Sequence, residues 1–153
     1  MAVCVISCQN STPYRSAPRR AFQWDTLAAG EGLKLIDARI TNSVKCLPPA
    51  NKPLPAEVKE CNAYLRAELK QSLGARVILA LGAIAHAAVL RAHDLPGAQF
   101  RFAHGAQHEL GRSRLLLDSY HCSRYNTQTR RLTTPMFEAV IEKARDLAFG
   151  GGS

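Results

Sequence analysis

The segment Ser119–Met136 carries the side chains best suited to chemistry, because it places His121 directly after the apolar run LLLDSY. Such a run predicts a buried strand, and open α/β sheets bind ligands at the carboxyl ends of their strands. The loop that follows offers hydroxyl, amide and guanidinium groups, which can contact phosphate or the edges of bases. These residues predict a site that handles nucleic acid, with His121 at its centre. The alternative is a histidine that only satisfies backbone groups at the end of a strand.

Two loops supply candidate DNA contacts. The loop after His121 contains hydroxyl and amide side chains suited to phosphate, and arginines that supply positive charge. These candidates are Ser123, Asn126, Thr127, Arg124, Arg130 and Arg131. A further candidate is Lys52, in an NKP turn, which we expect to contact phosphate. The alternative for all of them is a solvated basic loop without a partner.

Composition is compatible with this interpretation. The chain has 153 residues, of which 46% are hydrophobic and 21% charged, as in an ordinary globular protein with one domain. A formal net charge of +8 favours a polyanionic partner. No apolar run has the length of about 20 residues that a membrane span needs, and the N-terminus lacks the features of a secretory signal. We therefore expect a cytoplasmic protein without membrane contact, and a monomer.

Local patterns predict alternating strands and helices. We expect strands at Ile36–Lys45, Arg76–Leu81 and Ser113–Ser119, because these stretches alternate or are continuously apolar. Helical spacing predicts helices at Ala56–Leu73 and Ala83–His93, and a third helix that begins at Thr133 or Thr134. Residues 1–30 contain many turn formers and predict little regular structure. The order predicts an α/β fold of three αβα layers, with a parallel sheet whose strands all end at the same edge.

Four motifs in this order resemble the uracil-DNA glycosylase superfamily. They are ITNSVKCLPPANKP, LGAIA, FAHGA and SYHCSRYNTQTRRLT. The match is best to the family 5 (type b) enzymes, with family 4 next, and it covers about Gly32 to Ala148. The resemblance implies a glycosylase-like domain at residues 32–149 and a poorly matched segment at 1–31. The glycine-rich residues 150–153 are expected to form a flexible tail.

The resemblance also implies a reaction and roles for two side chains. Enzymes of this superfamily flip a uracil or a related deaminated base out of DNA and hydrolyse its N-glycosidic bond. His121 matches the histidine of the family's HPS motif and would donate a hydrogen bond to the departing base. Asn42 ends the ITN motif and would read the base edge with its amide, from the tip of a strand neighbouring that of His121. The alternative is a DNA-binding remnant without catalytic activity.

Three departures from the family pattern bear on this expectation. Cys122 stands where the family usually has proline, and Arg130 replaces a glycine that is common before RLT. Nothing in residues 1–35 resembles the family's GLAPA-type loop, which positions the attacking water. We therefore expect a fold that is incomplete at its N-terminus and a sheet that lacks one central strand.

Cysteines carry a separate expectation. In families 4 and 5, cysteines at the positions of Cys46 and Cys61 are two of the four ligands of a [4Fe–4S] cluster. The other two ligands would have to come from Cys4 and Cys8, whose spacing differs from the family's CxxC. The alternative is that Cys46 and Cys61 are thiols without a metal.

Overall fold

The computed structural model describes residues 2–7, 38–43, 54–72 and 74–150. The strands in these ranges are β1 (Ala2–Ser7), β2 (Ala38–Asn42), β3 (Ala75–Leu81), β4 (Gln107–Gly111) and β5 (Arg114–Ser119). The helices are α1 (Pro55–Gln71), α2 (Ala83–Ala92), α3 (Arg124–Gln128) and α4 (Thr134–Phe149), with a 3₁₀ turn at Gly97–Gln99. Each strand and helix predicted above is present, with ends that differ by a few residues.

The strands form one sheet in the order β2-β1-β3-β5-β4. β3 pairs with β5 in parallel, whereas β1 is antiparallel to both β2 and β3, and β4 is antiparallel to β5. β2, β3 and β5 therefore run in the same direction and end at the same edge, as predicted. The sheet is mixed rather than purely parallel, because β1 and β4 run the opposite way.

The first strand corrects two expectations. Ala2–Ser7 forms regular structure, although residues 1–30 were expected to have little. It also lies between β2 and β3, so the central position that we expected to be empty is occupied by an antiparallel strand. The apolar run AVCVIS is short and lacks flanking strand signals in the sequence, which explains why its pairing was not foreseen.

The sheet is covered on both faces, which confirms the three-layer arrangement. Strand β3 is buried along both sides: Ile78 and Ala80 contact one core cluster, and Val77 and Leu79 contact the other. The first cluster contains residues of α1 and α2, and the second contains residues of α4. Because side chains alternate across a strand, a continuously apolar β3 requires helices on both sides.

Local capping sets where the long helices begin. Helix α1 starts at Pro55, and the backbone N–H of Leu54 donates to Glu57 Oε2 at 2.8 Å. Helix α4 starts after Thr133, whose hydroxyl oxygen accepts from the N–H of Met136 at 3.4 Å. Proline in the first turn costs nothing there, since the N–H groups of the first turn have no partner within the helix.

Helices long and apolar enough to cross a membrane are absent from the part of the chain that the structure describes.

Candidate functional site

His121 lies just beyond the end of β5, next to the turn that follows β3. The two strands end side by side, with Leu81 paired to Ser119. The backbone N–H of Gly82 then donates to the carbonyl of Ser119 at 2.8 Å, which ties the β3–α2 turn to the exit of β5. The imidazole of His121 is thereby held at the carboxyl edge of the two parallel strands.

Gly82 is required at this turn for two reasons. Its φ is +96°, a conformation that residues with a Cβ rarely adopt. A Cβ at this position would also lie 3.2 Å from Cβ of His121, closer than side chains normally approach. The glycine of the LGAIA motif therefore lets the turn pack directly against the histidine.

The environment of His121 favours its neutral form. Burial lowers the pKa of His121 below its ordinary value of 6.5, because a partly desolvated ring binds its proton less tightly. Its ring makes no hydrogen bond with the part of the chain that the structure describes. A neutral imidazole still carries one N–H donor, which remains available for a ligand.

The loop after His121 is organised by Asn126. The side-chain Nδ2 of Asn126 donates to the carbonyl of His121 at 2.8 Å, and the carbonyl of Asn126 accepts from the N–H of Leu132 at 3.0 Å. Asn126 thus links the start and the end of the loop. The amide predicted to contact phosphate is engaged in holding the backbone of His121.

Ser123 and Thr127, the two hydroxyl residues predicted to contact phosphate, differ in whether their hydroxyl proton is available. Ser123 caps α3: its Oγ accepts from the N–H of Asn126 at 3.3 Å, so its own proton remains available to a phosphate oxygen. Oγ1 of Thr127 lies 3.0 Å from the carbonyl of Arg124 and 3.2 Å from that of Ser123. The hydroxyl of Thr127 has one proton and uses it within the helix, so a phosphate contact would have to break that bond.

The arginines of the loop lie on the surface in distinct settings. Arg124 and Arg130 are exposed, and Arg130 has a φ of +56°, the left-handed conformation in which glycine is favoured. The substitution of the family's glycine by Arg130 therefore falls on a position that does need an unusual backbone. Arg131 lies over the ring of Tyr120, with Cζ 4.9 Å from the ring centre.

A stack of three side chains supports the exit of β5. Arg131 and His104 both lie against the ring of Tyr120. The rings of His104 and Tyr120 have centres 5.0 Å apart and planes inclined by 22°. Nδ1 of His104 also accepts from the N–H of Tyr120 at 3.2 Å. The FAHGA motif, whose role the sequence left open, thus braces the residue that precedes His121.

One surface residue was missed by the sequence analysis. Tyr125 is 70% exposed, although aromatic side chains of this size are usually more buried. It lies on α3, between the arginine and amide residues of the basic loop. Its exposure depends on the orientation of a five-residue helix that no sequence periodicity predicts.

Asn42 ends β2 at the same edge of the sheet as His121, but the two strand tips are not neighbours. β1 and β3 lie between them, so the ends of β2 and β5 are about 14 Å apart across three interstrand spacings. The expectation of neighbouring tips is wrong, because β1 enters the sheet next to β2. The side chain of Asn42 is exposed. Lys52 lies outside the described residues.

The predicted cluster ligands are described only in part. Cys61 is buried on α1, whereas Cys46 and Cys8 lie outside the described residues and Cys4 is described only as part of the backbone of β1. Cys122, which replaces the family's proline, is exposed. One buried thiol on a helix is compatible with a cluster ligand but does not define a cluster, so the [4Fe–4S] assignment stays a prediction.

Known proteins with similar sequences include uracil-DNA glycosylases of type 5 and type 4. A type-5 uracil-DNA glycosylase of Thermus thermophilus is 44% identical over 119 residues, which are 78% of this chain and 54% of that protein. A type-5 uracil-DNA glycosylase of Mycobacterium tuberculosis is 41% identical over 122 residues, covering 78% of this chain and 46% of the relative. A type-4 uracil-DNA glycosylase of Archaeoglobus fulgidus is 34% identical over 87 residues, or 56% and 43% of the two chains.

These comparisons confirm the resemblance to type-5 proteins, with type 4 behind. The chain spans about half the length of the curated relatives it matches. The sequence profile described as "Uracil DNA glycosylase superfamily" matches residues 9–145, most of the chain. The chain belongs to the uracil DNA glycosylase superfamily.

Proposed function

We propose that this chain is a DNA glycosylase that removes uracil, or a related deaminated base, from DNA. The observation that carries the proposal is the setting of His121 at the carboxyl edge of β3 and β5. Its imidazole is partly buried, its pKa is lowered, and its ring makes no hydrogen bond with the described residues. Membership of the superfamily and the names of the relatives support the same reaction.

The chemistry requires a donor for the departing base. As the bond between C1′ of the sugar and the base nitrogen breaks, its electron pair leaves with the base, and negative charge collects on the carbonyl oxygens of the base. The N–H of His121 donates to one of these oxygens, and partial exclusion of water strengthens that hydrogen bond. A water molecule adds its oxygen to the sugar cation and releases a proton to solvent, which leaves an abasic site.

The lowered pKa suits this role. A neutral imidazole donates one proton in a hydrogen bond without transferring it, and this hydrogen bond becomes stronger as the base becomes an anion. An interaction that strengthens in the transition state raises the rate of the chemical step, whereas one of equal strength in the ground state does not.

The DNA would contact the surface formed by α3 and the residues around it. Arg124 and Arg130 project from this surface, and Ser123 keeps a hydroxyl proton for a phosphate oxygen. Tyr125 is the exposed aromatic group on the same surface, and such a group can stack on a base or fill the gap that a flipped base leaves. The net charge of +8 supports binding to a polyanion.

Asn42 remains the candidate for reading the base edge. Its exposed amide lies at the same edge of the sheet as His121, so a base between them would span the tips of β1 and β3. The distance between the strand tips means that Asn42 would have to reach toward the base across that edge.

The test is base excision under single-turnover conditions, with the chain in excess over an oligonucleotide that contains one uracil. We expect strand scission after alkali, and a rate in His121→Ala that is lower by about 100- to 1,000-fold, as is usual when a single transition-state donor is lost. The matched control is His93→Ala, which removes a partly buried histidine at the end of α2, and it should retain the wild-type rate. Equal rates for wild type and His121→Ala would contradict the proposal.

The second candidate is a DNA-binding remnant without catalytic activity, which would bind through the exposed arginines Arg124 and Arg130. It predicts binding that weakens steeply with salt and leaves no abasic site in the wild-type protein. The same oligonucleotide distinguishes the two candidates when binding and scission are both measured.

An iron–sulfur cluster with Cys46 and Cys61 among its ligands is a separate part of the proposal. Cys61 would contribute a buried thiolate from α1. Analysis of iron and acid-labile sulfide after anaerobic purification tests it, and a protein with neither element would overturn it.

A further inference from the structure

A buried group of two histidines and one aspartate lies apart from the DNA-binding surface. Asp118 on β5 is 0% exposed, and His86 on α2 is 5% exposed. Nδ1 of His86 lies 2.9 Å from Oδ1 of Asp118, and Nε2 of His108 on β4 lies 3.2 Å from Oδ2. One donor atom from each of the three residues lies within 4.8 Å of the other two. This arrangement takes no part in the proposed base excision.

We propose that His86, His108 and Asp118 form a binding site for one zinc ion. Two imidazole nitrogens and one carboxylate oxygen are a ligand set that Zn²⁺ prefers, with water in the fourth position. The donor atoms of a tetrahedral zinc site lie about 3.3 Å apart, because each bond is about 2.0–2.1 Å long. The separations of 2.9 and 3.2 Å involve different oxygens of Asp118, and one ligand atom from each of the three residues lies within 4.8 Å of the other two, so the ligands would close by at most about 1.5 Å around an ion.

The second observation is that the ring of His86 is already oriented as a metal ligand. Its Nε2 lies 3.0 Å from the carbonyl of Phe100, and since a carbonyl only accepts, Nε2 carries the proton. Nδ1 is thereby the nitrogen directed at Asp118. Metal-bound histidines usually donate their other N–H to a carbonyl or carboxylate in this way.

Aromatic neighbours fix both rings. His108 packs edge to face against His86 at 5.4 Å and against Phe100 at 5.7 Å, and His86 packs edge to face against Phe102 at 5.7 Å. Rings held in this way lose little freedom when they bind an ion. The side chain of His108 is 15% exposed, so the site has one contact with solvent through which an ion can enter.

Electrostatics also favours a cation here. The carboxyl group of Asp118 has no solvent contact, and a buried carboxylate needs positive charge or hydrogen-bond donors. Without a metal, Nδ1 of His86 either donates to the ionised carboxylate or accepts from the protonated acid. A zinc ion would replace that shared proton and leave the Nε2–H bond to Phe100 intact.

Elemental analysis and cobalt substitution test the site in the full chain. We expect about one zinc per chain after purification without chelator. After zinc is removed, added Co²⁺ should give the visible absorption of a tetrahedral site with nitrogen and oxygen ligands. His108→Asn should weaken Co²⁺ binding by more than about 100-fold, since even the partners of metal ligands contribute 10- to 100-fold. His93→Asn, at the residue that follows the helix of His86, is the matched control and should bind as wild type does.

A second measurement keeps the test decisive if a variant folds poorly. Zinc that binds only the folded state must raise the unfolding temperature of the wild-type chain. The proposal is overturned if zinc leaves that temperature unchanged, or if Co²⁺ produces a thiolate charge-transfer band, which would place the ion on cysteines. No DNA enters these measurements, so their outcome is independent of the excision assay.

Discussion

Two sites near the end of β5, one at His121 and one around Asp118, show how the surroundings of an imidazole decide what it can do. Beyond the end of β5, His121 has its backbone held by Asn126, while its ring makes no hydrogen bond with the described residues. Three positions earlier, Asp118 draws His86 and His108 into a group in which both ring nitrogens of His86 have partners. The first site can offer a hydrogen bond to a ligand, whereas in the second both nitrogens of His86 and both carboxyl oxygens of Asp118 already have partners in the protein.

The difference follows from position along the strand. Asp118 pairs with Ala80 inside the sheet, where α2 and β4 cover it, and a polar group there must find protein partners. His121 lies past the last pair of β5, where backbone ties hold the chain and leave the side chain unengaged. A distance of three residues therefore separates a group that stabilises the fold from one suited to catalysis.

The largest expected effect is on stability. Asp118→Ala should lower the free energy of unfolding by about 3–5 kcal/mol, because it leaves two buried imidazoles without their acceptor. Urea unfolding measures the change, and Asp146→Ala is the control, since that carboxylate pairs with Arg145 on the surface. A loss below about 1 kcal/mol would mean that Asp118 and its histidines do not act as a structural unit.

Gly82→Ala should have a larger effect on the excision rate, through His121, than on the stability of the fold. The new Cβ would press on Cβ of His121, and a small displacement of this proposed donor should lower the excision rate by about 10- to 100-fold. The strained backbone should cost only about 1–2 kcal/mol of stability. Single-turnover excision and urea unfolding separate the two effects. Gly97→Ala is the control, because no atom lies within 4 Å of its added Cβ, and it should change neither quantity appreciably.

The smallest effect is the dependence of stability on pH. The folded-state pKa of His121 is lowered by burial, so below its ordinary value of 6.5 the unfolded chain binds the proton more readily. The stability that His121 contributes is present above pH 6.5 and is lost as the pH falls through the lowered pKa. Between about pH 7.5 and about pH 5.5, His121→Asn should lose less stability than wild type.

His93 and His104 have pKa values lowered in the same direction, and the raised pKa of Asp118 contributes with the opposite sign. All three groups are present in wild type and in His121→Asn, so their contributions cancel when the pH dependence of stability is compared between the two. An equal loss of stability in wild type and His121→Asn would show that His121 titrates as it does in the unfolded chain.

Local patterns predicted the part of the fold that local physics controls. The continuous apolar run of β3, the caps of α4 and the spacing of α1 each determine structure within a few residues, and all were located correctly. β4 was missed because QHELG has no alternation of apolar and polar residues, and β1 because its partners lie far away in the sequence.

The same dependence on local sequence patterns decides which residues of the two histidine sites could be located from the sequence. The position of His121 just beyond the end of β5 was predicted correctly, because one strand and the loop after it carry the whole pattern; its role stays a prediction. His86, His108 and Asp118 come from a helix and two strands, so no short spacing connects them and only the folded chain brings them together. The engagement of Asn126 and Thr127 with the backbone also depends on α3, which the sequence did not indicate.

The direction of β1 has a practical consequence for handling the protein. Because β1 runs against its neighbours, Ala2 pairs with Asn42 and lies at the edge where β3 and β5 also end. An affinity tag joined ahead of Ala2 would emerge at the edge of the sheet where His121 lies and would obstruct access to that edge. Helix α4 begins at that edge and runs away from it for about 24 Å, so a tag placed after it would leave the surface clear for assays and for crystallisation with DNA.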